Sequence, residues 1–290
     1  MKEAENAMQQ RGKIAEQLIS SQFPELLNLF LTYQNEALAA RRLLHTNLVD
    51  LKSGSQILEI GGGIAALATQ LASEGFRVTS VEPVGEGFTG ISSIMQIFLD
   101  IAKEEGLQLN LIQAPIEECS FLDNFDFIFS INVMEHLSDP YSVLLQMEDA
   151  LKPGGTYRFF CPNYDFPYEP HFGKWIFARK NQAFYLKPIF VSAPKIDLID
   201  SFGLYQSINY LTLRKLSLFS SENGISFKIN KNAFHEILIR SIVDSGLQDR
   251  HTSLYKAVLI LEKLGLLRLA KYFPPSFQPI IDISIVKIKI

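Results

Sequence analysis

The sequence predicts an α/β protein built on a seven-stranded, mostly parallel sheet with helices on both faces. Between residues 56 and 161, short apolar segments bounded by glycine or proline alternate with amphipathic segments. Such βαβ alternation is typical of a doubly wound sheet. The 290 residues are 47% hydrophobic and 20% charged, which supplies a sizeable core and excludes a disordered chain.

The first 50 residues predict a helical extension ahead of the sheet. Apolar side chains recur there at helical spacing, and Pro24 lies where a helix would start. The expected helices cover residues 2–20 and 24–50.

Strands and helices are predicted to alternate from residue 56 onward. The expected strands cover residues 56–60, 76–82, 109–113, 125–131, 156–161, 225–229 and 280–288. The expected helices cover residues 64–74, 88–105, 140–151 and 213–222, with two more inside 232–272. Pro153-Gly154-Gly155 predicts a turn, and the prolines and aromatic side chains of residues 162–211 predict an irregular insertion or cap.

Composition excludes several classes of protein. Cys119 and Cys161 are too few for a disulfide framework or a four-cysteine zinc site. No apolar run of about 20 residues is present, so a membrane-spanning helix is not expected. The start of the chain is polar and charged, so no secretory signal is visible and a cytoplasmic location is expected.

The charges are unevenly distributed along the chain. Residues 51–150 carry a net charge of −12, and residues 151–290 carry +9. The first segment suits a cationic ligand, and the second suits an anionic ligand or a charged surface. Solvated helix faces are the alternative explanation.

Two acidic residues accompany a glycine cluster at the predicted strand ends. Glu59 precedes Gly61-Gly62-Gly63, and Glu82 ends the second predicted strand. Ligands of doubly wound sheets bind at this edge, where a carboxylate can accept hydrogen bonds from both ribose hydroxyls. Because Glu59 would repel phosphates, the pattern favours adenosine without phosphates over a dinucleotide. A tight strand–helix turn without a ligand is the alternative.

Five segments resemble the motifs of class I S-adenosylmethionine-dependent methyltransferases in order and spacing. They are Ile57–Gly63, Val81–Pro83, Phe125–Ser130, Val133–Pro140 and Leu151–Gly155. The resemblance implies a Rossmann-like sheet whose last strand is antiparallel. It also implies an enzyme that uses S-adenosyl-L-methionine and releases S-adenosyl-L-homocysteine. Three positions differ from the family pattern: Ala65 for a third glycine, Ala114-Pro115 for an adenine-binding acid, and Glu82 for the commoner aspartate.

The resemblance also implies a domain organisation. Residues 1–50 form the N-terminal helical extension, and residues 51–290 form the methyltransferase domain. Substrate-side insertions are expected at about 162–211 and 230–278.

Roles for single residues follow from the same resemblance. Glu59, Gly61 and Gly63 are expected to line the methionine part of the cofactor. Glu82 is expected to hold the ribose, with Pro83 beside it, and Asn132 is expected near the sulfonium or the methionine amine.

The segment after the fourth strand raises the question of a metal ion. Val133-Met134-Glu135-His136 resembles the Glu-x-x-Glu-His pattern of ubiquinone-biosynthesis O-methyltransferases and of small-RNA 3′-end methyltransferases, which bind a divalent ion. Asn132 replaces the first carboxylate, and a hard cation needs several oxygen ligands. No metal is therefore expected.

The segment after the fifth strand holds the candidates for a general base. Residues 163–173 contain His171, which titrates near neutrality, and Tyr164. Transfer to oxygen usually needs a base, so these two residues are the predicted catalytic pair. The alternative is that they order a proline-rich loop.

The predicted insertions indicate the kind of acceptor and partner. Their apolar and basic side chains suit a small or amphiphilic molecule, anionic ones included. Residues 254–273 carry four basic residues against Glu262 and could lie on a membrane surface, form a core helix or form a dimer face. No zinc finger, RNA-recognition motif or basic tail is visible, so a nucleic-acid substrate is not expected.

The sequence therefore predicts methyl transfer to such an acceptor, at oxygen, by in-line displacement. Two alternatives from other classes stay open at this point. One is a catalytically silent cofactor-binding module or partner subunit. The other, ranked lowest, is a nicotinamide oxidoreductase, which would not place Glu59 beside the glycines.

Overall fold

The computed structural model of the protein describes residues 1–83, 89–169, 174–175, 208–243 and 252–288. Its strands are β1 (Gln56–Ile60), β2 (Arg77–Val81), β3 (Leu109–Ile112), β4 (Phe125–Ile131), β5 (Leu151–Pro162), β6 (Tyr168–Glu169), β7 (Lys174–Trp175), β8 (Phe227–Ile229) and β9 (Ile280–Val286). Seven strands form one sheet in the order β3-β2-β1-β4-β5-β9-β8, and β6 pairs with β7.

Helices flank this sheet. They are α1 (Lys2–Gln22), α2 (Leu27–Leu43), α3 (His45–Leu48), α4 (Ala66–Ser73), α5 (Thr89–Glu104), α6 (Pro140–Ala150), α7 (Leu213–Asn223), α8 (Ala233–Val243) and α9 (Thr252–Lys263). A 3₁₀ helix, Leu266–Tyr272, follows α9. Among the described residues, no helix is both long and apolar enough to cross a membrane.

The strand directions place several strand ends at one edge of the sheet. Strands β1 to β5 pair in parallel, whereas β9 runs antiparallel to both β5 and β8. The predicted doubly wound sheet with an antiparallel last strand is thereby confirmed. The edge where β1, β2, β4 and β5 end is called the carboxyl edge below. Because β9 is antiparallel, its first residue, Ile280, pairs with Pro162 at this same edge.

Apolar strands explain why the sheet is covered on both faces. In β1 and β4 nearly every residue is buried, as expected for parallel strands between two helical layers. One face packs against α1, α2, α4 and α5 through side chains such as Ile57 and Phe127. The other face packs against α6 and α7 through side chains such as Tyr157 and Phe159. The N-terminal helices thus share the core of the sheet.

The predicted start of β5 was wrong. The turn expected at Pro153-Gly154-Gly155 lies inside β5, where Leu151 already pairs with Phe125. The pairing shifts register there, and Gly154 has a φ of +86°. The pairing with β4 passes from Phe125–Leu151 directly to Phe127–Thr156, so four residues of β5 lie opposite one residue of β4 and the strand continues beyond this bulge.

The two helices expected inside 232–272 are present as α8 and α9, and the described part of this region also contains the 3₁₀ helix. Gly265, with a φ of +69°, separates α9 from that 3₁₀ helix. A left-handed glycine ends an α-helix at low conformational cost, so the chain changes direction at this point.

A buried ion pair joins three parts of the fold. Nε and Nη2 of Arg158 on β5 donate to the carboxylate of Asp282 on β9 at 2.9 and 2.7 Å. Nη1 of Arg158 donates to the carbonyl of Leu43 and to Oδ1 of Asn47, both at 2.9 Å. Nδ2 of Asn230 donates to Asp282 at 2.9 Å. The pair therefore ties the N-terminal helices and the segment before α8 to the sheet.

Replacement of Asp282 by alanine should lower the free energy of unfolding by about 3–5 kcal/mol, because the Arg158 charge would stay buried without its partner. Urea unfolding measures this loss. The control is Arg214→Ala, which removes an exposed contact 3.7 Å from Asp165 and should cost less than about 1 kcal/mol. Equal losses in the two variants would contradict the structural role of the buried pair.

Candidate functional site

The glycine loop after β1 is held tightly against neighbouring segments. Backbone N–H groups of Gly61 and Gly62 donate to the carbonyl of Val81 at 2.8 and 3.3 Å. Gly61 has a φ of +78°, and a Cβ atom there would lie 2.2 Å from Cγ2 of Val133. Only glycine satisfies both the backbone conformation and this close approach. The loop therefore brings the ends of β1 and β2 and the segment after β4 together.

Ala65 occupies a glycine-like conformation. Its φ is +60°, its side chain is fully buried, and it lies at the N-terminal cap of α4. The left-handed region costs an alanine about 1 kcal/mol or more. The departure from the family pattern at this position is thus accommodated with strained backbone.

Glu82 is positioned by the loop itself. The backbone N–H of Gly63 donates to Oε2 of Glu82 at 2.9 Å. Burial raises the pKa of this carboxyl group, and the bond from Gly63 opposes that rise. The sequence predicted both residues for the cofactor site, and the structure brings them into direct contact.

Glu59 is a nearly inaccessible carboxyl group, with 4% of its surface exposed. Burial raises its pKa to about 8, and the charge of nearby Glu82 adds to this rise. A hydrogen bond of 2.9 Å from Oγ of Ser80 opposes it. The two carboxyl groups therefore form a site whose ionised state would be favoured by a cationic ligand.

Tyr33 is a site residue that the sequence reasoning missed. A methyl group at Gly63 would lie 3.3 Å from Cδ1 of this tyrosine, which projects from α2. Burial raises the pKa of Tyr33, with further contributions from Glu36 and Glu82. Helical periodicity indicates only that Tyr33 faces inward, and it carries no signal for the partner loop.

The remaining predicted cofactor residues lie at the same edge. Asn132 follows β4 with a φ of +56°, a conformation that asparagine tolerates better than most residues, and its N–H donates to Phe160 O at 2.8 Å. The next residue, Val133, is the one that approaches Gly61. Pro83 directly follows Glu82 and is exposed. Their contacts with a cofactor stay predictions.

The structure describes only one of the two predicted catalytic residues. His171 lies outside the described residues. Tyr164 lies just past β5, its N–H donates to the carbonyl of Leu211 at 3.0 Å, and its ring meets that of Tyr210 edge-on at 5.3 Å. Tyr164 is therefore placed at the carboxyl edge by the segment that leads into α7.

In the segment that resembles a metal-binding pattern, the acidic side chains lie close to neighbouring residues of the chain. Glu135 is fully buried, with Oε1 3.9 Å from Nε2 of His136. Asp139 caps α6 by accepting from the N–H groups of Tyr141 and Ser142 at 3.1 Å. Among the residues that the structure describes, no group of three or more His, Cys, Asp or Glu side chains could hold a metal ion.

A surface cavity of about 490 Å³ lies beyond β5. Its lining residues are Asp165, Leu213, Arg214, Ser217, Leu218, Ser276 and Phe277. It includes none of the predicted cofactor residues, so it is separate from the glycine loop.

The doubly wound sheet, with its glycine loop after β1 and carboxylates at the ends of β1 and β2, defines a class I methyltransferase. The model of a methyltransferase domain family matches residues 31–211, more than half of the chain. The chain therefore belongs to this family, and the resemblance to S-adenosylmethionine-dependent methyltransferases is confirmed. Family membership is inconsistent with the nicotinamide oxidoreductase alternative.

Similarity to individual proteins extends over different shares of the chain. An uncharacterized protein of Mycobacterium tuberculosis is 33% identical over 271 residues, 93% of this chain and 91% of that protein. A ubiquinone biosynthesis O-methyltransferase of Rickettsia canadensis is 30% identical over 100 residues, 34% of this chain and 39% of that enzyme. The solved structure of phosphoethanolamine N-methyltransferase 2 of Haemonchus contortus with S-adenosyl-L-methionine has a TM-score of 0.53 at 19% identity, covering 88% of this chain and 52% of that chain.

The raised pKa of Glu59 predicts a pH-dependent effect of Glu59→Gln on stability. Between pH 4.5 and 8 the unfolded chain ionises this carboxyl group while the folded protein keeps its proton, so folding is increasingly disfavoured. The variant lacks this penalty. The difference in free energy of unfolding, Glu59→Gln minus wild type, should therefore increase by about 1.4 kcal/mol per pH unit between pH 5 and 8.

Urea unfolding at several pH values checks this gain. Glu104→Gln, at the exposed end of α5, is the matched control and should show no such trend. A stability difference between Glu59→Gln and wild type that stays constant from pH 5 to 8 would show that Glu59 titrates normally.

Proposed function

We propose that the chain transfers a methyl group from S-adenosylmethionine to an oxygen atom of a small or amphiphilic acceptor. The observation that supports the cofactor part is the position of the buried carboxyl group of Glu59 and the half-buried one of Glu82 beside a glycine loop at the carboxyl edge. Burial raises both pKa values, so each carboxyl group resists ionisation in the absence of a nearby positive charge. A cofactor with a sulfonium and an ammonium group would supply it.

The residues of the site fit this cofactor. Glu82, already oriented by Gly63, would accept hydrogen bonds from the ribose hydroxyls. Glu59 and Asn132 would face the methionine part, and Tyr33 would close the site from the side of α2. The cofactor would bring an electrophilic methyl group bonded to a positively charged sulfur. The protein would contribute orientation, exclusion of water and electrostatic stabilisation.

The same electrostatics argue against a ligand with a pyrophosphate. A pyrophosphate would add negative charge beside Glu82 and would further oppose ionisation of Glu59, in a site where repulsion is poorly screened. The negative charge of residues 51–150 points the same way. The preference for a cationic cofactor thus follows from local contacts and from the charge of the whole segment.

The charge of the chain and the names of similar proteins indicate the kind of acceptor. The chain is basic after residue 150, and similar proteins are named a ubiquinone biosynthesis O-methyltransferase and a phosphoethanolamine N-methyltransferase. Tyr164 at the carboxyl edge, with His171 from the sequence, would supply a base for a hydroxyl acceptor. These points favour an anionic or amphiphilic hydroxyl compound.

Glu82→Gln should weaken binding of S-adenosylhomocysteine by about 1–3 kcal/mol, because a neutral amide replaces charge-assisted acceptors of the ribose hydroxyls. Isothermal titration calorimetry measures the change. Glu104→Gln serves again as the control and should bind as wild type does. Unchanged affinity in a folded Glu82→Gln protein would remove Glu82 from the ribose role.

Methyl transfer should be detected with labelled S-adenosylmethionine and a panel of amphiphilic acceptors, each offered as the hydroxyl compound and as its amino analogue. The hydroxyl compounds should be preferred, and His171→Ala should lower kcat about 10²-fold or more at saturating acceptor. Tyr164→Phe tests the second predicted catalytic residue in the same assay.

The outcomes of this assay separate the alternatives. Preference for the amino analogues would contradict O-methylation. A full kcat in His171→Ala would exclude its role as base. Tight cofactor binding without transfer to any acceptor would favour the silent binding module.

A further inference from the structure

We propose that the surface formed by residues 256–277, called the basic apolar face, docks on an anionic lipid surface. Among the described residues, eight of the nineteen large hydrophobic side chains that are exposed fall within 260–277. Single exposed apolar residues are normal on proteins, whereas a contiguous group marks an interaction surface. The concentration in one short stretch therefore calls for a partner.

The 3₁₀ helix sorts its side chains into rows. With three residues per turn, side chains at i, i+3 and i+6 lie above one another. Leu267 and Ala270 form the inward row and are buried. Leu266, Leu269 and Tyr272 form an outward row and are 41, 58 and 83% exposed. The inward row is buried against the rest of the fold, and the outward row is exposed to solvent.

Helix α9 packs beside the 3₁₀ helix, because Val258 shares a buried cluster with Leu267 and Ala270. Ile260 and Leu264 lie four residues apart on one helical face, and both are exposed. Val258 on the opposite side is buried. Phe277, just before β9, is a further exposed aromatic residue.

The charges on the face identify the partner. Lys256, Lys263, Arg268 and Lys271 are exposed among the apolar side chains, and Glu262 is the only acidic residue from 256 to 277. Aliphatic and aromatic side chains flanked by Lys and Arg are the composition that inserts at the interface of an anionic membrane. A second copy of the chain would bring an identical basic face and place like charges opposite one another. The composition thus favours an anionic lipid surface.

The location of the face connects it to the acceptor side of the protein. Phe277 lies two residues before Pro279, whose carbonyl accepts a 2.9 Å hydrogen bond from the N–H of Asn163. Asn163 directly follows β5 at the carboxyl edge, next to Tyr164. The face therefore borders the edge at which the cofactor loop also lies. The docking proposal rests on the surface alone and does not require the proposed methyl transfer.

Co-sedimentation of the full chain with vesicles tests the proposal. The vesicles contain phosphatidylcholine alone or with 30% phosphatidylglycerol, at two salt concentrations. We expect binding to the anionic vesicles, at least tenfold weaker binding to the neutral ones, and further weakening at high salt. No binding to anionic vesicles would overturn the proposal.

Matched variants locate the binding surface. Leu269→Gln with Tyr272→Gln, and separately Arg268→Glu with Lys271→Glu, should each reduce binding at least tenfold. Leu122→Gln and Lys52→Glu, which alter exposed residues away from this face, should bind as wild type does. Circular dichroism confirms that all variants are folded. If the two double variants bind as strongly as the two single control variants, another surface contacts the lipid and the proposal is overturned.

Sedimentation equilibrium without vesicles tests whether a second copy of the chain binds to the basic apolar face instead. We expect the mass of one chain, or an assembly that the face variants leave unchanged. A dimer that Leu269→Gln with Tyr272→Gln converts to monomer would assign the face to a second copy, and would contradict lipid docking.

Discussion

The site depends on one hydrogen bond, from the backbone N–H of Gly63 to the carboxylate of Glu82. This bond fixes the glycine loop against the end of β2 and holds one acid next to the buried Glu59. Two carboxyl groups in such proximity, with little access to water, are unfavourable when both are ionised. This unfavourable ionisation occurs at the edge of the sheet where a cationic ligand would relieve it. Such perturbed carboxyl groups are typical of functional sites.

The rest of the fold serves to build that edge. Parallel strands bring the ends of β1, β2 and β4 together, and the left-handed glycines allow the close approach of Val133 and Tyr33. The N-terminal helices belong to the same core and reach the loop through Tyr33. On the other side, the antiparallel β9 starts at the carboxyl edge, so that the basic apolar face, which precedes it in the chain, lies beside the acceptor side of the protein.

The sequence allowed the sheet and the acids of the site to be predicted, because both leave local signals. Strand β4 was predicted with its observed limits, since it is a continuous apolar run covered on both faces. The end of β5 was predicted well and its start was not, because a bulge carries the strand through Pro153 and Gly154. Tyr33 was missed because its partner is about 30 residues away and no periodicity encodes that contact. The outward row of the 3₁₀ helix was missed because its three-residue repeat resembles α-helical spacing over so short a segment.

Proton release on cofactor binding tests the central claim most directly. Calorimetric titration with S-adenosylmethionine at pH 7, in two buffers of different ionisation enthalpy, reports the number of protons released. Because Glu59 has a pKa of about 8 and is mostly protonated at this pH, a cationic ligand should expel its proton. The account predicts release approaching one proton in the wild type, with that part lost in Glu59→Gln. Identical proton release in both proteins, or none in the wild type, would contradict it.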